Sequence, residues 1–262
     1  MTSTAKNTRP DDTRQSELLS LQKLMQSGDF DSALKQLDDI LRGDENIADA
    51  LYMKAACLRY LKRPEQAFET LEALKSVVPE FGRAFQEEGH LYRTAGNKKK
   101  ALNAFKLACQ FNPVLTSSWN AQAELLRDLK GNEHEINVAL AQVDRIKRLP
   151  KEVVAATHYL AEKRLIKAEN LCRHFLKSNP KNTDAMRLLA EIAENFGAME
   201  EAEFLLESAV EFEPGLVQLR LDYLQILRRR QKLQSAYEQA EYLYDNDTVS
   251  YTHLTLPTIY SV

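Results

Sequence analysis

Arg59, Arg93 and Arg127 stand 34 residues apart, and so do Tyr52, Gln86 and Asn120. With Arg83 and His90 they form the one set of side chains in this chain whose types and spacing suit a specific chemistry, and that chemistry is recognition. Guanidinium groups make charge-assisted hydrogen bonds to carboxylates, amides pair with an extended backbone, and Tyr52 and His90 offer flat surfaces for stacking. Asp49 and Glu124 fall in the same frame. They supply the alternative reading, solvated charges pairing with the arginines, and such surface pairs contribute little.

Reactive constellations do not emerge elsewhere. His90, His134, His158, His174 and His253 include no pair four apart and no histidine–carboxylate spacing suited to a metal, so each reads as a surface or partly buried imidazole. No glycine-rich phosphate loop occurs and no strand is expected on which one would be mounted. Serine and cysteine lack a neighbouring base. Neither a catalytic residue, a metal nor a cofactor is therefore expected. The acidic run "AEIAENFGAMEEAEFLLESAVEFE" reads at helical spacing as carboxylates on outward faces. Arg228, Arg229 and Arg230 read as cations placed favourably against a helix dipole.

The elements that position these side chains repeat. Ala33, Ala67 and Ala101 are separated by 34 residues each, as are Pro79 and Pro113. Each marks a helix pair, with a small residue where two helices come closest and a proline that ends the second helix. Pro64 falls at the first turn of such a second helix, where a missing N–H costs nothing. The frame continues through units 149–182 and 183–216, with Ala168, Cys172, Pro180, Ala202 and Pro214 in register. Gly28, Gly96 and Gly197 each precede a packing alanine by five residues, which predicts an inter-helix turn there. Unit 116–148 is degenerate: Trp119 holds the aromatic position, Ile136 replaces the small residue, and Gly131 looks displaced by one from the other turns.

Starting at Gly82, the residues Phe85, Gly89, Tyr92, Ala101, Phe105 and Pro113 match the tetratricopeptide repeat, with Glu88 departing where that pattern has leucine. The chain is identified as a member of that family. The resemblance implies an all-α, right-handed α-α superhelix of about seven helix–turn–helix repeats over residues 14–247, flanked by a disordered stretch 1–13 and a non-repeat tail 248–262. It further implies a protein–protein interaction scaffold with a concave groove that binds a peptide or a partner domain. Positions 2, 5, 9 and 12 of each first helix would face that groove. Tyr52, Arg59, Arg83, Gln86, His90, Arg93, Asn120 and Arg127 are then its candidate binding residues, and an acidic peptide its candidate ligand. Leu18, Gln22, Tyr52 and Ala56 stand where a carboxylate clamp for chaperone tails would need lysine and asparagine.

Composition bounds the partners. A net charge of −3 does not draw the chain to nucleic acid or to a membrane surface. No run of about 18 apolar residues is present. The polar start "MTSTAKNTRPDDTRQSE" is unlike a signal peptide. Cys57, Cys109 and Cys172 are far apart with no CxxC pair, which fits reduced thiols in a cytoplasmic protein.

Residues 168–241, "AENLCRHFLKSNPKNTDAMRLLAEIAENFGAMEEAEFLLESAVEFEPGLVQLRLDYLQILRRRQKLQSAYEQAE", resemble the repeat region of bacterial tetratricopeptide-repeat sulfotransferases. That resemblance implies a parent enzyme transferring a sulfuryl group from a phosphoadenylyl-sulfate donor. Its phosphate-cradling loop has no match in this chain, so no catalytic role carries over. The tail "VSYTHLTLPTIYSV" reads as translated adapter sequence after an interrupted reading frame, which would leave a C-terminal catalytic domain missing and make it a candidate partner of the groove. A natural tail is the rival reading. A peptide ligand for a PDZ-type groove is a third, against which Tyr260 stands.

Overall fold

The computed structural model describes residues 10–245, with side chains described from Glu17 onward. Residues 1–9 and 246–262, which include the tail at 248–262 and most of the N-terminal stretch, lie outside the described residues. The described residues form fourteen α-helices and no strand. They pair in chain order as α1 (Pro10–Gln26) with α2 (Phe30–Gly43), α3 (Ala48–Tyr60) with α4 (Pro64–Val77), α5 (Gly82–Thr94) with α6 (Lys98–Phe111), and α7 (Thr116–Asp128) with α8 (Glu133–Arg148). Three further pairs follow: α9 (Lys151–Ala161) with α10 (Leu165–Ser178), α11 (Thr183–Asn195) with α12 (Met199–Phe212), and α13 (Val217–Arg229) with α14 (Leu233–Asp245). The all-α array of seven helix pairs is the architecture expected from the repeat.

Local chemistry sets the ends of these helices. Pro79, Pro113, Pro150, Pro180 and Pro214 each stand two residues beyond the last residue of α4, α6, α8, α10 and α12, where a residue without an N–H cannot extend the helix. Pro64 opens α4 at its first position. The side chains of Asp29, Asn97 and Asn182 accept hydrogen bonds from the N–H groups of Ser32, Lys100 and Ala185, capping α2, α6 and α11 and satisfying donors that a helix start leaves open.

Every turn inside a pair is built alike. One residue takes a left-handed backbone: Gly28, Lys62, Gly96, Lys130, Lys163, Gly197 and Gln231, with φ from 52° to 84°. The N–H of the next residue then bonds a carbonyl five positions back, as in Arg63 to Leu58 at 2.9 Å and Asn97 to Tyr92 at 2.9 Å. This is a Schellman closure. It corrects the expectation for Gly131, which is not a displaced turn glycine. Lys130 holds the left-handed position in phase with the other repeats, and Gly131 supplies the following N–H, bonded to Leu126 O at 2.8 Å.

The described residues divide into two compact units, one ending at Leu140 and the other beginning at Ala141. In the first, Ala33, Ala67 and Ala101 are fully buried, as are Leu37, Leu71 and Phe105 one turn further along α2, α4 and α6. Ile136 and Ala139 pack with Ala123 and Leu126, against Trp119 and Leu102, so the degenerate repeat keeps a core made from larger side chains. In the second unit Ala156, Ala168, Ala185, Ala202 and Ala209 are fully buried among Leu189, Ile192, Leu206, Ile226 and Leu227. Glu88, the departure from the repeat pattern, is buried and accepts a hydrogen bond from Lys75 Nζ of α4 at 2.7 Å. A pairing between adjacent helices thus replaces the usual leucine contact.

Candidate functional site

The eight candidate residues lie on α3, α5 and α7, all in the first unit, and the structure links them across repeats. Arg83 approaches Asp49 at 3.7 Å and lies over the rings of Tyr52 and Phe81, 4.2 and 5.1 Å from their centroids. Gln86 Nε2 donates to Ser117 Oγ. Arg93 reaches Glu124 at 3.4 Å. Asp49 and Arg83 hold the same position in successive repeats, and Gln86–Ser117 and Arg93–Glu124 are offset by one helical turn. The three first helices therefore carry one continuous polar strip.

Members of the strip are held to different degrees. Arg59 pairs with Glu87, whose side chain is only 7% exposed, and its guanidinium lies 4.3 Å from the centroid of Tyr60. Tyr60 in turn stacks on Phe30 at 4.5 Å. Glu87 at its buried position was not foreseen in the sequence, and it makes Arg59 largely a structural cation. Arg93 and Glu124 are exposed, at 45% and 66%. Arg127 is exposed and Asn120 half-buried, on the turns of α7 either side of Glu124. The structure therefore brings Tyr52, Arg83, Gln86 and Arg93 into pairs with neighbouring repeats, while Arg127 makes no ion pair among the described residues. Arg83 also has a packing role on two aromatic rings, which the repeat frame had not assigned to it.

His90 sits edge-on to Phe105 at 5.1 Å. Burial, and then the positive charges of Arg59 and Arg93, hold its pKa down to about 4, so the imidazole is neutral at physiological pH. It can stack or accept a hydrogen bond, but it adds no charge to the strip. Burial and the nearby Glu87 carboxylate raise the Tyr52 phenol, against the pull of Arg83 and Arg59.

The acidic run and the arginine run of the second unit prove to be partners. Glu203 is buried and accepts from Arg230 Nη1 and Lys232 Nζ, each at 2.6 Å. Arg230 also reaches Glu200 at 3.1 Å, and Arg229 pairs with Glu194. This corrects the reading of the run as wholly outward-facing. Glu203 lies on the side of α12 that meets α13, where only a cation from the next repeat makes a carboxylate tolerable.

A concavity in the second unit was not visible in the sequence. It encloses about 640 Å³ and is walled by Ala141, Asp144, Arg145, Arg148 and Leu149 of α8 and its end, Thr183, Asp184 and Arg187 of α11, and Leu216, Gln218 and Leu219 at the start of α13. Among the described residues, no group of three or more His, Cys, Asp or Glu is gathered as a metal site would require, and no helix is long and apolar enough to cross a membrane. Cys57, Cys109 and Cys172 are buried free thiols, and burial pushes their pKa values up to about 11, 12 and 12.

Comparison with known families matches three stretches to tetratricopeptide-repeat models, residues 21–80, 82–114 and 159–221. No curated protein matches the chain. Among solved structures, Naa15/Naa10 bound to HypK-THB is 19% identical with a TM-score of 0.45, over 89% of this chain but 37% of that one, so the chain spans little more than a third of its length. A tetratricopeptide repeat protein from Parabacteroides merdae is 14% identical with a TM-score of 0.43, over 88% of this chain and 92% of that chain. The MamA protein is 17% identical with a TM-score of 0.38, over 78% and 93%.

Proposed function

We propose that this chain, a tetratricopeptide-repeat protein, is an interaction scaffold that holds an extended, acidic segment of a partner protein along the α3–α5–α7 strip. The observation that carries the reading is the gradation within the strip. Arg59 is locked to a buried carboxylate, whereas Arg93 meets Glu124 at 3.4 Å with both groups well exposed, and Arg127 is open. A pair of that kind is worth little in water. An incoming carboxylate displaces Glu124 at small cost and gains Arg127 besides. Gln86 and Asn120 pair with the backbone of the segment, and Tyr52 and His90 provide stacking surface. The matched models describe repeats alone and lend the sulfotransferase resemblance no support, so docking of a missing catalytic domain is not adopted.

The test is fluorescence anisotropy with labelled extended peptides, one rich in Asp and Glu and one rich in Lys, across a salt series. The acidic peptide should bind, and bind more weakly as salt rises, because exposed charges are screened over about 8–10 Å near physiological ionic strength. Arg93→Ala with Arg127→Ala should weaken it without changing helicity, since both side chains are exposed. Equal binding of acidic and basic peptides, or an unaffected double variant, overturns the proposal.

A further inference from the structure

We infer that the concavity of the second unit is a separate binding site for a short peptide carrying an acidic side chain next to an apolar one. Its size, about 640 Å³, lies within the 300–1,000 Å³ typical of ligand pockets. The decisive feature is which of its charges are already answered. Arg187 pairs with Asp222, which also accepts from Gln218 Nε2 at 2.8 Å. Asp144 has Lys147 at 3.6 Å. Arg145 and Arg148 line the same wall, are exposed, and make no ion pair among the described residues. Three residues apart on α8, they share one helix face, so two guanidinium groups line one wall of the cavity with no carboxylate engaged.

The lining also carries three leucines, Leu149 beside Arg148 at the end of α8 and Leu216 and Leu219 at the start of α13. Leu219 is fully buried, Leu149 is half-buried, and Leu216 is 42% exposed. A large aliphatic side chain half in water beside unanswered cations fits a ligand with both characters. The carboxylate accepts hydrogen bonds from the two arginines, and the neighbouring apolar side chain covers Leu216 and Leu149. A nucleic-acid backbone fits poorly. Asp144 and Asp184 stand on the same walls and oppose a run of closely spaced phosphates, whereas a single carboxylate at the arginines avoids them. The site is distinct from the α3–α5–α7 strip and shares no residue with it.

Anisotropy with a fluorescein-labelled short peptide carrying one Asp next to one Leu tests the inference on the full chain, beside an Asp–Gly peptide lacking the apolar group and a Lys–Leu peptide of reversed charge. The Asp–Leu peptide should bind at least tenfold more tightly than either control. Arg145→Gln with Arg148→Gln, and separately Leu216→Asp, should each weaken it tenfold or more. Arg93→Ala with Arg127→Ala should leave this binding unchanged, which separates the result from that of the strip. Leu216→Asp lies outside the helices, and the arginines are exposed, so circular dichroism should report unchanged helicity in both cavity variants. Absence of Asp–Leu binding, equal binding of either control peptide, or full binding by the arginine double variant overturns the inference.

Discussion

The ring of Phe105 leaves no room for a side chain at Gly89. A Cβ placed there would lie 2.7 Å from one ring carbon and 2.8 Å from two others, and Phe105 is fully buried, so its ring has nowhere to retreat. Gly89→Ala should therefore lower stability by about 1–3 kcal/mol, the usual cost of overpacking. Gly43→Ala, with nothing within 4 Å of the new methyl group, should stay within about 0.5 kcal/mol of the parent. Urea unfolding of the two variants checks this; equal midpoints would mean that α5 and α6 do not meet as described.

Lys62 and Gly96 occupy equivalent turns with φ of 56° and 76°. The left-handed backbone costs a lysine roughly 1–2 kcal/mol, partly offset by the greater freedom glycine has when unfolded. Lys62→Gly should thus stabilise the chain by up to about 1 kcal/mol. Gly96→Ala should destabilise it by a similar amount, and since nothing lies within 4 Å of Gly96, that loss reports backbone strain alone. Thermal unfolding with opposite shifts for the two variants is the expected result.

His90 gives the stability a pH dependence of known sign. Folded, it takes a proton only near pH 4; unfolded, near pH 6.5. Between those values the unfolded chain binds more protons, so the contribution of His90 is fully present above pH 6.5 and is lost as pH falls towards 4. Burial and the cations Arg59 and Arg93 all disfavour the imidazolium. Urea midpoints at pH 7 and pH 5 should differ less in His90→Gln than in the parent. An identical difference would show that His90 does not carry the effect.

Glu203 is the acid on which two repeats depend. Removing it as Glu203→Ala leaves Arg230 with Glu200 alone and takes the carboxylate from Lys232, and losing two charge-assisted hydrogen bonds should cost about 2–3 kcal/mol. Glu200, 88% exposed and 3.1 Å from Arg230, should cost less than about 0.5 kcal/mol when changed to Ala. Chemical denaturation of the two variants distinguishes a structural carboxylate from a solvated one.

The repeat was legible in the sequence because it is written in local terms. Small residues at Ala33, Ala67 and Ala101, and prolines two positions past helix ends, act through the backbone within a few residues of themselves. Where a glycine marks the turn, the turn was legible too. At Lys62, Lys130, Lys163 and Gln231 it was not, because tertiary packing of the helix pair imposes the left-handed backbone on side chains that do not ask for it.

What the sequence alone determined about this protein is its succession of helix pairs and the face on which Tyr52, Arg59, Arg83, Gln86, His90, Arg93, Asn120 and Arg127 would lie. Only the tertiary structure decided which charges are answered. Arg59 is held by Glu87 and Arg93 loosely met by Glu124; Glu203 is buried between Arg230 and Lys232. The cavity at Arg145 and Arg148 draws its walls from three helices separated along the chain. The reason is physical. A helix brings together residues three or four apart, so periodicity predicts its faces, but partners some thirty residues away meet only when adjacent repeats dock, and their register is set by the volumes of the whole core rather than by any local motif.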